Sequence, residues 1–380
     1  MARLVRTEQQ LRTHARVLAA ARTEFLRHGF SDTTVDAVAA RAELTRSTVY
    51  SVFPTKTALY LAALTDHTTI AARALDTYAG PPSRPARTAT DAVHAFATQW
   101  LRQLQPTEPG TTATGGMRVS ALFADLVPLA VTRLRAPLSG LSALTAALVA
   151  LALRDLERRH PARDHAGPAH DYRPVSEATL ATLLATTIAP WTAPQADLAH
   201  IPDQCARYAA QHTGTYPATS DAQHVNHVVH EGGSAVRLRP LPWSPLRGHD
   251  LLHDTPADLY RDQYVLFTGL HAAPAIVEQL AVLPARTPLT VVVVTGPDRD
   301  VEPLTQLLLG LTCRALRRIF PADFLPVLQV VLDTSGTLAL AARILDATPD
   351  TLTAVTVSAQ QLTWRADDAT ALAALLTGRR

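Results

Sequence analysis

The chain has 380 residues, 47% of them hydrophobic and 18% charged, which is too long for one ordinary core at roughly 100 to 200 residues per domain and too apolar for a disordered or collagen-like polymer. Its two cysteines, Cys205 and Cys313, stand far apart in the sequence, which excludes zinc ribbons, Cys-x-x-Cys redox centres and disulfide frameworks and makes a cytoplasmic protein the expectation. Formal net charge is only +2, yet the first 60 residues carry nine basic against five acidic side chains, a basic head on a slightly acidic body of the kind that meets nucleic acid.

No signal peptide opens the chain, and the longest apolar helical run, 141–153, is interrupted by Ser142 and Thr145 and too short to span a bilayer, so no membrane association is expected. Between residues 8 and 28, Leu11, Leu18, Ala21 and Phe25 recur at helical spacing, and Gly29 stands where a left-handed cap belongs. Thr33-Thr34-Val35-Asp36 offers a capping hydroxyl with an acid three residues on, opening a short helix with Val35, Val38, Ala39 and Ala42 on its apolar face. A third helix, capped by Thr45, must end before Pro54. Thr55 caps a fourth, from Lys56 through Leu61, Leu64, Ala71 and Leu75 to about Tyr78, ahead of the linker Gly80-Pro81-Pro82-Ser83-Arg84-Pro85.

From 88 to 222 the periodicity is helical throughout, with helices expected near 89–105, 117–133, 138–159, 176–189 and 197–212. After the polar stretch 224–233 the pattern alternates. Strands are expected at 264–268, 289–295, 328–333, 353–358 and 361–365, with helices at 273–283, 301–319, 337–346 and 368–377. The run 291–294 is four valines without polar alternation, so its strand belongs at the centre of an α/β sandwich. His224, His227 and His230 are spaced too widely around a helix for one metal ion, and no metal site is expected.

Two short helices joined by a tight turn, the second rich in Thr, Ser and Tyr, make a helix-turn-helix DNA reader. The residues carry this further: Thr33-Thr34-Val35-Asp36-Ala37-Val38-Ala39-Ala40-Arg41-Ala42, then Thr45-Arg46-Ser47-Thr48-Val49-Tyr50-Ser51-Val52-Phe53-Pro54-Thr55-Lys56-Thr57-Ala58-Leu59, resemble the TetR family of bacterial repressors over residues 11–62. The resemblance implies phosphate contacts for Thr34, Tyr50 and Lys56, the only lysine in the chain, and places Thr45 at the reading helix with Arg46, Ser47, Thr48 and Ser51 toward base edges. Glu43 departs from the glycine usual in the family, which demands a costlier backbone at the turn, and Val52 replaces a residue that often assists at the phosphates. The resemblance also implies a homodimer that reads a palindromic operator in double-stranded DNA and responds to a small-molecule effector. Leu141, Leu144, Leu148 and Leu151 with Leu180, Leu183, Leu184 and Ile188 would form a dimeric four-helix seam, although an internal core explains the same leucines. Phe96, Trp100, Met117 and Phe123 are the large side chains available to line an effector pocket, which suits an apolar or aromatic molecule.

Residues 236–378 resemble the thioredoxin-like C-terminal domain of flavin-dependent aromatic-ring hydroxylases, through Gly248-His249-Asp250-Leu251-Leu252, Tyr264-Val265-Leu266-Phe267-Thr268-Gly269 and Val331-Leu332-Asp333-Thr334-Ser335-Gly336. A dithiol would stand after the first central strand, where the chain has Leu270-His271-Ala272-Ala273-Pro274, and no dinucleotide-binding glycine motif is present. The expected organisation is therefore multidomain: an all-α helix-turn-helix head (1–55), a helical ligand-binding and dimerisation domain (56–223), a linker (224–235) and a separable α/β thioredoxin-like domain without redox cysteines (236–380). The expected function is a non-enzymatic, cofactor-free DNA-binding transcriptional regulator; the alternative is an enzyme or enzyme subunit associated with an oxidoreductase.

Overall fold

The computed structural model describes residues 2–78, 86–104, 134–160, 170–186, 198–213, 234–283, 287–296 and 299–376. The head starts with helix α1 (Ala2–Asp32), interrupted at Gly29, whose φ of 74° no side chain tolerates well. Thr33 is buried there and donates to the carbonyls of Glu24 and Gly29 at 3.2 and 2.7 Å, so the cap of α2 (Val35–Arg41) falls to Thr34, whose hydroxyl accepts from Ala37 N at 3.1 Å. Thr45 caps α3 (Arg46–Val52) through Thr48 N, and Thr55 caps α4 (Lys56–Tyr78) through Ala58 N. Val17, Ala21, Phe25, Val38, Val49 and Phe53 close the core of this unit, with Tyr60 set edge-on to Phe25.

Helices α5 (Ala89–Gln103), α6 (Arg135–Arg159), α7 (Arg173–Ala185) and α8 (Ile201–His212) form the body. The helix expected at 117–133, the linker 80–85 and the three histidines at 224, 227 and 230 lie outside the described residues. By length and composition α6 could cross a membrane, a capacity that the 141–153 run alone underrates. In the fold it is a core helix, with Leu141, Leu144, Leu148 and Leu153 almost fully buried.

Beyond residue 234 the chain builds an eight-stranded sheet: β1 (Val236–Pro242), β2 (His249–Asp250), β3 (Thr255–Pro256), β4 (Gln263–Gly269), β5 (Leu289–Val294), β6 (Gln329–Asp333), β7 (Leu352–Ser358) and β8 (Gln361–Ala366), in the order β1-β8-β7-β4-β5-β6-β2-β3. Strands β4, β5 and β6 are parallel, while β7 and β8 run antiparallel on the other side of β4. Alternation sorts the faces. Val291 and Val293 turn toward α9 (Ala273–Val282), α10 (Val301–Ile319) and α12 (Ala369–Leu376), whereas Val292 and Val294 turn toward α11 (Thr337–Ala341) and Trp243.

The C-terminal domain packs closely on the body. One contiguous apolar core runs from Val17 in α1 through Leu148 in α6 to Leu376 in α12. Helix α10 lies between the sheet and the body, against α4, α5 and α6, and α9 also packs on α6. A helix so placed needs a broad apolar face, which Leu304, Leu307, Leu308, Leu309 and Leu311 supply opposite a stripe of Glu302, Gln306 and Arg314. Polar groups pin the same junction: Arg314 donates to Gln103 Oε1 at 3.0 Å and Thr68 Oγ1 at 3.1 Å, Gln103 donates to Leu311 O at 3.2 Å, and the Thr55 hydroxyl donates to the Asp300 carboxylate. Of the residues expected at a dimer seam, Leu141, Leu144, Leu148, Leu151, Leu180 and Leu183 are buried within one chain, Leu184 is half-buried, and Ile188 lies outside the described residues.

Both cysteines are free and buried, and desolvation pushes the Cys205 thiol up to about 11 and the Cys313 thiol up to about 12. At pH 8 the thiolate population of each is then about a thousandth or less. Ellman's reagent should label neither thiol in the folded protein and both after unfolding. Fast labelling of the native chain would contradict this burial.

Candidate nucleic-acid interface

The turn between α2 and α3 passes through Glu43, which adopts a left-handed φ of 52°. Two backbone hydrogen bonds hold it, Glu43 N to Ala40 O at 3.1 Å and Leu44 N to Ala39 O at 2.9 Å, and Arg16 on α1 reaches across to Ala42 O at 2.6 Å. The strain of placing a non-glycine residue there is thus borne by a locked turn. The consequence is a rigid presentation of α3.

On α3, Arg46, Ser47 and Ser51 are exposed together with the cap Thr45, Thr48 and Tyr50 are half-buried, and Val49 points into the core. Hydroxyls interlock along this edge: Thr45 Oγ1 lies 2.9 Å from Ser47 Oγ and 2.8 Å from Thr48 Oγ1, and Ser51 donates to Thr48 O at 2.7 Å. The Arg46 guanidinium lies over the Tyr50 ring, 5.5 Å from its centroid, and donates to Asp36 Oδ2 at 2.9 Å. The Tyr50 phenol, and after it the Asp36 carboxylate, raise the Arg46 pKa above the ordinary arginine value. Thr34, at the start of α2, is exposed and accepts from Ala37 N, which leaves its hydroxyl proton available to an outside acceptor. Lys56, in the first turn of α4, lies over the Phe30 ring at 4.5 Å and donates to Ser31 O at 3.3 Å.

The structure therefore gathers Thr45, Arg46, Ser47, Thr48, Tyr50 and Ser51 on one two-turn helix and sets Thr34 and Lys56 at two neighbouring helix starts. Sequence reasoning missed Asp36 as a member of this surface. The available signal was weak: a lone acid ten positions before an arginine, across a turn.

Of the expected effector-pocket residues, Phe96 and Trp100 are packed in the core of α5 with ring centroids 6.0 Å apart, and Met117 and Phe123 lie outside the described residues. The Trp100 indole N–H has no hydrogen-bond partner among the described residues. A groove of about 460 Å³ runs between α5, α8 and the end of α10, edged by Arg87, Asp91, His94, Gln99 and Arg318. Among the described residues no group of three or more His, Cys, Asp or Glu side chains could hold a metal ion.

Residues 17–63 match the family described as bacterial regulatory proteins, tetR family. No curated protein matches the sequence. Among solved structures, RolR in complex with the ligand resorcinol is 18% identical, with 55% of this chain and 90% of that chain covered at a TM-score of 0.35. A TetR-family transcriptional regulator from Agrobacterium tumefaciens is 17% identical, with 54% and 98% covered at 0.32. NalD, the secondary repressor of the MexAB-OprM multidrug efflux pump in Pseudomonas aeruginosa, is 20% identical, with 53% and 93% covered at 0.26. Scores this low establish no shared overall fold, and the assignment rests on the head. Over residues 17–63, built as helix, turn and helix, the head of this chain is similar to the amino-terminal domain of the tetR family of bacterial regulatory proteins.

Proposed function

We propose that the chain is a cytoplasmic DNA-binding transcriptional regulator, a ligand-released repressor that reads a palindromic operator. The observation that carries this reading is the hydroxyl-rich edge of α3, with Arg46 at its exposed start, on a locked turn within the matched residues. Arg46, Ser47, Thr48 and Ser51 read base edges in the major groove, while Thr34, Tyr50 and Lys56 hold phosphates. A two-fold operator calls for two heads, so the working unit is a homodimer. Since the leucines of α6 are engaged within the chain, a different surface joins the two copies.

The effector is an apolar or aromatic small molecule that acts through α4, the helix shared by head and body. The α/β domain supports a non-catalytic role: its β4-α9-β5 and β7-β8-α12 units fit a thioredoxin-like arrangement, and no cysteine stands at the start of α9. By bracing α4 through Asp300 and Arg314, that domain lies on the path from effector to DNA.

Fluorescence anisotropy on duplexes selected by the protein from a randomised library tests the reading. Arg46→Ala should cost about 1–3 kcal/mol on the selected duplex and relax preference at one base pair per half-site. Lys56→Ala should weaken all duplexes alike and flatten the salt slope by about one unit per lost phosphate contact. Equal loss of selected and random DNA in the Arg46 variant would refute its base-reading role.

A further inference from the structure

Asp36 sits in the first turn of α2, its side chain 62% exposed, and its carboxylate grips the Arg46 guanidinium at 2.9 Å across the turn. An acid in the first turn of a helix is ordinarily explained by the helix dipole. That explanation does not account for its direction. Thr34 already satisfies the start of α2, and Asp36 reaches away from its own helix to neutralise Arg46, the one cation of α3. On a surface that meets phosphates, a carboxylate is a liability unless it selects.

Guanidinium chemistry shows how it selects. Arginine offers five N–H donors in a planar fork, and here one is committed to Asp36 while the plane lies over Tyr50. A guanine edge presents two acceptors, O6 and N7, that match two donors of that fork, whereas the other base edges offer no such pair. Resting on the DNA-binding reading above, we propose that Asp36 is a positioning and specificity-determining residue: it parks Arg46 on Tyr50 in the free head and releases it only where a guanine takes over. Away from such a base Arg46 stays neutralised and the carboxylate repels the backbone, so random DNA is held weakly.

The test is Asp36→Asn, compared with wild type on a duplex selected by the wild-type protein from a randomised library and on a random duplex of equal length, over a range of salt. Thermal melting first establishes that the variant is folded, as the exposure of the side chain leads one to expect. The variant should bind random DNA about three- to tenfold more tightly, with a salt slope steeper by about one, and gain little or nothing on the selected duplex, so that the ratio of the two affinities falls by up to about tenfold. In an Arg46→Ala background the same change should shift both duplexes by one factor, because only its charge is left to act. Equal shifts on both duplexes in the wild-type background would reduce Asp36 to a helix-end charge and overturn this proposal alone. A wild-type protein that enriches no duplex would overturn the DNA-binding reading and this proposal with it.

Discussion

A chain ending at Gly233 should fail to fold as a stable body, giving aggregate or a broad, non-cooperative melt and no DNA binding. Helices α4, α5 and α6 all lose cover when α9 and α10 are removed. Uncovering as few as four leucine-sized side chains costs about 6–12 kcal/mol at 1.5–3 kcal/mol each. That equals the whole net stability of a typical domain, about 5–15 kcal/mol. The truncation also removes the hydrogen bonds that Gln103 makes across the junction with Arg314 and Leu311 O. Size-exclusion chromatography and thermal melting decide the matter. A monodisperse truncated chain with a sharp melt would support the separable domain that the sequence led us to expect.

Gly140→Ala should also destabilise the fold, from a single methyl group. A Cβ at Gly140 would lie 1.7 Å from Leu270 O and 2.7 Å from Leu270 C. Both atoms are backbone, so no rotamer change relieves the overlap, and α6 must separate from the turn that follows β4. Alanine improves helix propensity over glycine by about 1 kcal/mol. Overpacking at a rigid contact costs about 1–3 kcal/mol and sometimes more, and a clash this deep belongs at the upper end, so the clash wins. Denaturant titration should show net destabilisation of about 2 kcal/mol or more, with faster hydrogen exchange in α6 and at the start of α9. An unchanged midpoint would mean that the two units are not in close contact at Gly140.

The same contact marks where sequence reading stops. Burial was legible: the period of Leu141, Leu144 and Leu148 told that this stripe is covered. Its partner was not, because periodicity records that a face leaves water and says nothing of what it meets. The leucine run of α10 held a fuller signal, since an apolar face that broad can meet two layers at once. Strands β4 to β8 were readable from their valine-rich runs and turn residues, whereas β1, with the sequence Val-Arg-Leu-Arg-Pro-Leu-Pro, carries two prolines that suit only an edge and was not among the expected strands. In the head, capping chemistry at Thr45 and Thr55 placed the candidate interface closely. The Asp36 pairing escaped because it is set by the angle between α2 and α3, which no local pattern encodes.

The bond between Thr55 and Asp300 joins positions 245 apart in sequence, and the apolar stripe of α6 waits on α9 and α10 in the same way. On the ribosome, α6 ends at Arg159 and α10 at Ile319, about 160 residues later. At roughly 5–20 residues per second, each nascent chain leaves part of that leucine face uncovered for roughly 10–30 s before the whole of its cover emerges. With a helix apolar enough to suit a bilayer partly exposed for that interval, the yield of folded protein should respond to the pace of translation more than its final stability does.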